Sequence, residues 1–127
     1  MTTVVDASAL LDALLGVVRE DDRHHFSGDL AAPDLLFPEV TNALACMRRR
    51  GLVDPAGAAL ILEELRDVPL QVEPTRELVV RAFELSDRLT ASDGCYVALA
   101  ESFQCPLLTA DCRLGNAPGL SIPVILV

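Results

Sequence analysis

The sequence predicts an α/β domain with a parallel-type central sheet flanked by helices. Three observations predict it. Short apolar runs recur along the chain, and helix-like segments separate them singly or in pairs. Helices outnumber strands, so some connections must carry two. Asp6 and Asp111 stand just past two of the short apolar runs, at the edge where an open α/β sheet presents its ligands. At 127 residues the chain reads as one domain, spanning 1–127, large enough for a real core.

Residues 2–6, Thr-Thr-Val-Val-Asp, read as the first strand. Ser8 to Val18 reads as a helix, followed by a short polar helix or loop to about Gly28. Ala31 to Pro33 fits a short strand. Leu35 to Arg50 reads as a long helix stopped by Gly51. Asp54-Pro55 is a cap followed by a first-turn proline, opening a helix that runs to about Arg66. Pro69 to Glu73 reads as a strand. Thr75 starts a helix whose body is Arg76 to Asp87. Ser92 can cap a helix running to about Phe103. Leu107 to Thr109 and Ile122 to Val127 read as the last strands. No repeat, linker or low-complexity stretch interrupts the pattern.

Composition excludes several functions. The chain is 51% hydrophobic but only 4% aromatic, so Leu, Val and Ala must build the core. Charges such as Asp12 break every long apolar stretch before it reaches the roughly 18 to 20 residues of a membrane helix. The N-terminus lacks a basic region and soon meets Asp6, unlike a signal peptide; a cytoplasmic protein is the expectation. Cys46, Cys95, Cys105 and Cys112 form no C-x-x-C pair, and the two histidines are neighbours at 24 and 25, so zinc-ligand spacing is absent. Three of the four cysteines fall in apolar segments and read as buried free thiols. His24 and His25 read as a solvated pair facing different directions. The net charge of −9 argues against nonspecific nucleic-acid binding. Every basic residue is Arg; there is no Lys. The cluster Arg48-Arg49-Arg50 complements the C-terminal dipole of its helix, and it could also hold phosphate or a partner's acids.

Four acids carry the functional reading: Asp6, Glu39, Asp93 and Asp111. Asp6 and Asp111 follow strands. Glu39 shares a helix face with Leu35, Leu36 and Ala43, and Asp93 shares one with Tyr96, Val97 and Ala100. Each has an ordinary explanation, as a cap, a first-turn dipole partner or a loop residue. Glu39 is the hardest to explain that way, because an inward Glu needs a partner. Jointly they predict one pocket. With only oxygen donors, that pocket suits a hard divalent cation, Mg²⁺ or Mn²⁺. Like charges at 4 Å repel by roughly 4 kcal/mol at an effective dielectric of 20, so clustered carboxylates should hold protons or metal.

Four segments in order resemble the PIN-domain ribonucleases, specifically the VapC-type toxins of bacterial toxin–antitoxin pairs. They are Val4-Val5-Asp6-Ala7-Ser8, Pro33 through Glu39 to Asn42 and Leu44, Thr90-Ala91-Ser92-Asp93 through Tyr96 to Glu101, and Pro106 through Thr109 and Asp111 to Leu114. The resemblance covers essentially the whole chain. It implies a PIN-like domain and a Mg²⁺- or Mn²⁺-dependent endoribonuclease that leaves a 5′-phosphate and a 3′-hydroxyl. Asp6, Glu39, Asp93 and Asp111 would be the catalytic acids, with Asp6, Asp93 and Asp111 holding metal. Ser8, Asn42 and Thr109 would support them, and Arg113 would be an RNA contact or a surface ion pair. It further implies an RNA substrate, a cognate antitoxin and a homodimer. Two departures stand out. Gly94 occupies a position where many relatives have Ala, and Asn116 lies near where some carry a further acid, which leaves one versus two metals open.

Rival classes lack their residues. A haloacid-dehalogenase-type enzyme wants a second Asp at the position of Ser8, and a Lys; a receiver domain also wants the Lys. A P-loop enzyme needs Gly-Lys, and a dinucleotide-binding turn needs glycines after the first strand. The remaining rival is a PIN-like module that binds RNA or protein without cutting.

Overall fold

The strands Thr2–Val5 (β1), Asp29–Pro33 (β2), Leu70–Glu73 (β3), Leu107–Thr109 (β4) and Val124–Leu126 (β5) form one sheet in a computed structural model describing residues 1–127. All neighbours pair in parallel, in the order β3-β2-β1-β4-β5. The chain builds outward from β1 through β2 to β3, then returns to lay β4 on the other side of β1. That reversal opens a crevice between the carboxyl ends of β1 and β4. The register there is set by Val5 opposite Leu108, and the Asp6 N–H donates to the Leu108 carbonyl at 3.0 Å.

Val4, Val5, Leu107 and Leu108 are wholly buried, which explains why these strands read as unbroken apolar runs instead of alternating ones. The helices are Ala7–Leu15 (α1), Leu36–Arg49 (α2), Pro55–Asp67 (α3), Val79–Glu84 (α4), Ala91–Phe103 (α5) and Cys112–Gly115 (α6). In α2 the buried positions are Leu36, Val40 and Leu44, four apart, with Glu39 on the flank of that stripe. Helix α5 is the central one. Every residue from Gly94 to Ala100 is buried, and the helix lies against β1, β2 and β4. Gly94 has a packing reason. A Cβ there would sit 3.1 Å from both Cα and Cβ of Ala82, so its absence lets α4 pack closely on α5.

Several expected boundaries shift. The first helix stops at Leu15 instead of Val18, because Gly16 takes the left-handed conformation and closes it. The helix expected over Arg76 to Asp87 is broken into a 3-10 turn at Thr75–Glu77 and the short α4. Its apolar rhythm persists, since Leu78, Ala82, Leu85 and Leu89 are all buried. Past Leu85, however, Ser86 and Arg88 bond three residues back, to Phe83 and Leu85, which tightens the chain into turns. The cap of α5 is Thr90, whose hydroxyl accepts the Asp93 N–H at 3.2 Å, and not Ser92. The last strand is shorter than expected and begins after Pro123, which has no N–H for the ladder. Helix α6 was not foreseen. All four cysteines are free, but only Cys95 and Cys105 are buried; Cys46 and Cys112 are exposed. The His24 and His25 rings also depart from expectation. They lie together in the 3-10 turn Glu20–Phe26, 3.9 Å between centroids. No helix is long and apolar enough to cross a membrane.

Leu108 ties β4 to β1 at the crevice. Leu108→Ala is expected to lower unfolding free energy by about 3 kcal/mol in urea titration; a loss below about 1 kcal/mol would contradict its central packing.

Candidate active site

Asp6 leaves β1 in extended conformation and caps α1, its Oδ1 accepting the Ala9 N–H at 2.9 Å. The same oxygen accepts the Ser8 hydroxyl at 2.7 Å, and Oδ2 accepts the Thr109 hydroxyl at 2.5 Å. Asp6 is only 5% exposed. Burial pushes its carboxyl above the ordinary value of 3.8, against the pull of these three donors, and the nearby Asp93 charge adds to the rise. Thr109 is wholly buried at the end of β4, and its oxygen also accepts the Asp111 N–H at 3.0 Å. Ser8 in turn accepts the Ala110 N–H at 3.0 Å. Two hydroxyls thus lace the β1–α1 turn to the β4–α6 turn.

Asp111 caps α6, its Oδ1 accepting the Arg113 N–H at 2.9 Å. Asp93 stands in the first turn of α5. Three residues on, the buried Tyr96 donates its hydroxyl to Glu39 Oε1 at 2.6 Å. Burial and that bond drive the phenol's pKa far up, so it stays a neutral donor. Glu39 therefore finds the partner that its inward position requires, on another helix.

Asp6, Glu39, Asp93 and Asp111 all line one cleft of about 350 Å³, together with Ala7, Ser8, Leu11, Asp12, Ala43 and Tyr96. The four acids expected to share a pocket do line one cleft. Asn42 does not join them; it is exposed on α2, outside the cleft lining. Arg113 is ion-paired to Asp93 at 2.8 Å and to Asp111 at 3.2 Å. Two residues were missed as cleft members. Asp12 lies one turn beyond Ser8 on the same helix face, a spacing that would have revealed it; burial holds its carboxyl above the usual range. The Tyr96 hydroxyl's role had no local signal, because its partner is 57 residues away.

The donor set fits a hard divalent cation: carboxylate and hydroxyl oxygens in one cleft, with no nitrogen or sulfur ligand. The side chains as they stand do not converge as a ready-made cluster of three ligands. Arg113 spans two of them instead.

The chain is 34% identical over 129 residues to a VapC ribonuclease of Mycobacterium bovis, covering 98% of this chain and 97% of the relative. It is 39% identical over 120 residues to ribonuclease VapC3 of Mycobacterium tuberculosis, covering 90% and 85%. The Pyrobaculum aerophilum protein PAE2754 superposes with a TM-score of 0.70 at 30% identity, over 97% of this chain and 89% of that one. Mycobacterium tuberculosis VapC20, a sarcin–ricin loop cleaving toxin, shares the fold at 16% identity and TM-score 0.63, covering 95% and 98%. A chain of a toxin–antitoxin complex from Klebsiella pneumoniae does so at 15% and 0.56, covering 97% and 95%. No family model matches.

Two substitutions probe the network in EDTA. Asp6→Asn keeps a good cap and removes a buried charge, so its melting temperature at pH 7 should equal or exceed the wild type. The folded-state pKa of Asp6 is raised, so the cost of its charge is present at neutral pH. That cost disappears as pH falls through the raised value toward 3.8. The advantage of Asn should fade over that range; a large loss at pH 7 would instead mean that the Asp6 charge is structurally required. Thr109→Val leaves the Asp111 N–H and Asp6 Oδ2 without their buried partner, and should cost about 2 kcal/mol. Stability within a few tenths of the wild type would show that the lacing is unimportant.

Proposed function

The chain belongs to the VapC ribonuclease family, and we propose that it is the toxin of a toxin–antitoxin pair, an endoribonuclease that hydrolyses RNA phosphodiester bonds with Mg²⁺ or Mn²⁺ in the acidic cleft. One observation carries this reading: four carboxylates from four separate segments line a single cleft at the switch point of the sheet. Structure alone does not require carboxylates to gather there, since each would be more stable apart.

Asp6, Asp93 and Asp111 are the residues that would hold the cation. Bound there, it would lower the pKa of a water and offset charge developing on the phosphate. The protein supplies the positioning. Ser8, Ala9 and Thr109 fix the Asp6 carboxylate so that it does not rotate toward solvent. Tyr96 occupies one oxygen of Glu39, which leaves the other free to orient or deprotonate the attacking water. In-line attack of that water on phosphorus would expel the 3′-oxygen, leaving a 5′-phosphate and a 3′-hydroxyl. Arg113, exposed beside the cleft, is suited to contact an RNA phosphate.

A cognate antitoxin is the expected protein partner; the Klebsiella pneumoniae neighbour is part of a toxin–antitoxin complex. Its basic side chains would find their counter-charges in the cleft. Pairing of two copies is supported by the apolar side chains Val79, Val80 and Phe83, which α4 leaves 51%, 73% and 78% exposed.

The test incubates purified protein with total cellular RNA in Mg²⁺ or Mn²⁺ and maps new 5′ ends by sequencing. Discrete cuts are expected, lost in EDTA and reduced at least 100-fold in Asp93→Asn. A cation-induced rise in melting temperature without any cuts would favour the non-cleaving binding module. Cuts that persist in Asp93→Asn would place the chemistry elsewhere.

A further inference from the structure

Asp93 and Asp111 do not face each other unshielded. A single nitrogen, Arg113 Nη2, lies 2.8 Å from Asp93 Oδ2 and 3.2 Å from Asp111 Oδ2. No other basic side chain is ion-paired with an acid of the cleft. The four acids are thus held in two ways. Asp6 and Glu39 are gripped by neutral hydroxyl and N–H donors with little freedom to leave. Asp93 and Asp111 are held by a charge on an arm open to water, the Arg113 side chain being 63% exposed.

The arm's root is fixed while its tip is not. The Arg113 backbone N–H is tied to Asp111 Oδ1, so the residue cannot drift from the cleft. Its guanidinium is held only by ion pairs open to water, which are individually weak and screened by salt. One positive charge offsets only part of the cleft, whose lining carries five carboxylates: Asp6, Asp12, Glu39, Asp93 and Asp111. A divalent cation brings twice the charge to the same oxygens.

We propose that Arg113 is the exchangeable counter-ion of the cleft. It bridges Asp93 and Asp111 until a divalent cation takes up their oxygens, and the released guanidinium then stands beside the cleft, free to pair with phosphate. The inference rests on the metal reading above.

The test titrates Mn²⁺ into the full chain by calorimetry, comparing wild type with Arg113→Gln and Arg113→Lys. With its competitor removed, Arg113→Gln should bind Mn²⁺ roughly three- to tenfold more tightly, the worth of one or two exposed ion pairs. Arg113→Lys, which keeps the charge but loses the fixed planar geometry of the guanidinium, should fall between. In the wild type, the side-chain Nε–H resonance of Arg113 should shift on addition of Mg²⁺. Equal or weaker Mn²⁺ binding by Arg113→Gln, or an unmoved resonance while the cation binds, overturns the exchange and leaves the metal site standing. Absence of Mn²⁺ binding in all three proteins overturns both.

Discussion

The molecule is organised around one buried carboxylate. Asp6 emerges from β1 at the switch point, almost without solvent, where an ionised group is expensive. It is tolerated because two hydroxyls and a backbone N–H converge on it. Those donors come from α1 and from β4, so satisfying Asp6 fixes how these elements meet. The Thr109 oxygen also takes the Asp111 N–H, so the grip on the first acid places the backbone of the last. A single hydrogen-bonded chain thereby joins residues 103 positions apart in sequence.

Helix α5 sets the other half of the cleft. Its middle, Gly94 to Ala100, is buried on every side, so its orientation is set by packing all round. Asp93 and Tyr96 are three apart and project from one face. The helix thus presents one acid directly and steadies a second, Glu39, through the tyrosine hydroxyl. Gly94 belongs to this arrangement. Its missing Cβ lets Ala82 approach, and α4 then braces the first turn that carries Asp93. The glycine that departs from the Ala of many relatives is here the seat of a close contact between two helices.

Much of this was legible in the chain. The strands betrayed themselves as short apolar runs because the central ones are covered on both faces. The four acids stood out because they interrupted patterns that should have stayed apolar. What failed to show was whatever depends on partners distant in sequence. Thr90 and Ser92 are both good caps, and only the packing of α5 chooses between them. The segment after Thr75 keeps a helical apolar rhythm through Leu78, Ala82, Leu85 and Leu89, yet its hydrogen bonding tightens past Leu85; side-chain periodicity reports which face is inward, not which carbonyl is bonded. Asn42 matched a motif but faces solvent, because the stripe of α2 is set by Leu36, Val40 and Leu44. Arg113 left two readings open, and it took the cleft geometry to show both acids it bridges.

The charge of the cleft imposes an order on what can bind there. Two carboxylates at 4 Å repel by roughly 4 kcal/mol at an effective dielectric of 20, and a phosphodiester adds a further negative charge. On a chain of net charge −9, a nucleic-acid backbone gains little from the general field of the protein and must find its attraction locally. Positive charge therefore has to enter the cleft before or with the phosphate. Arg113 supplies one such charge from within, a divalent cation would supply two, and a basic side chain of an antitoxin would supply one from outside. All three draw on the same carboxylate oxygens, so each excludes the others in part. On the proposed function, whichever occupies them would decide whether the cleft can accept phosphate. The clustering of acids that makes the site costly to fold is also what would let these positive charges compete for it.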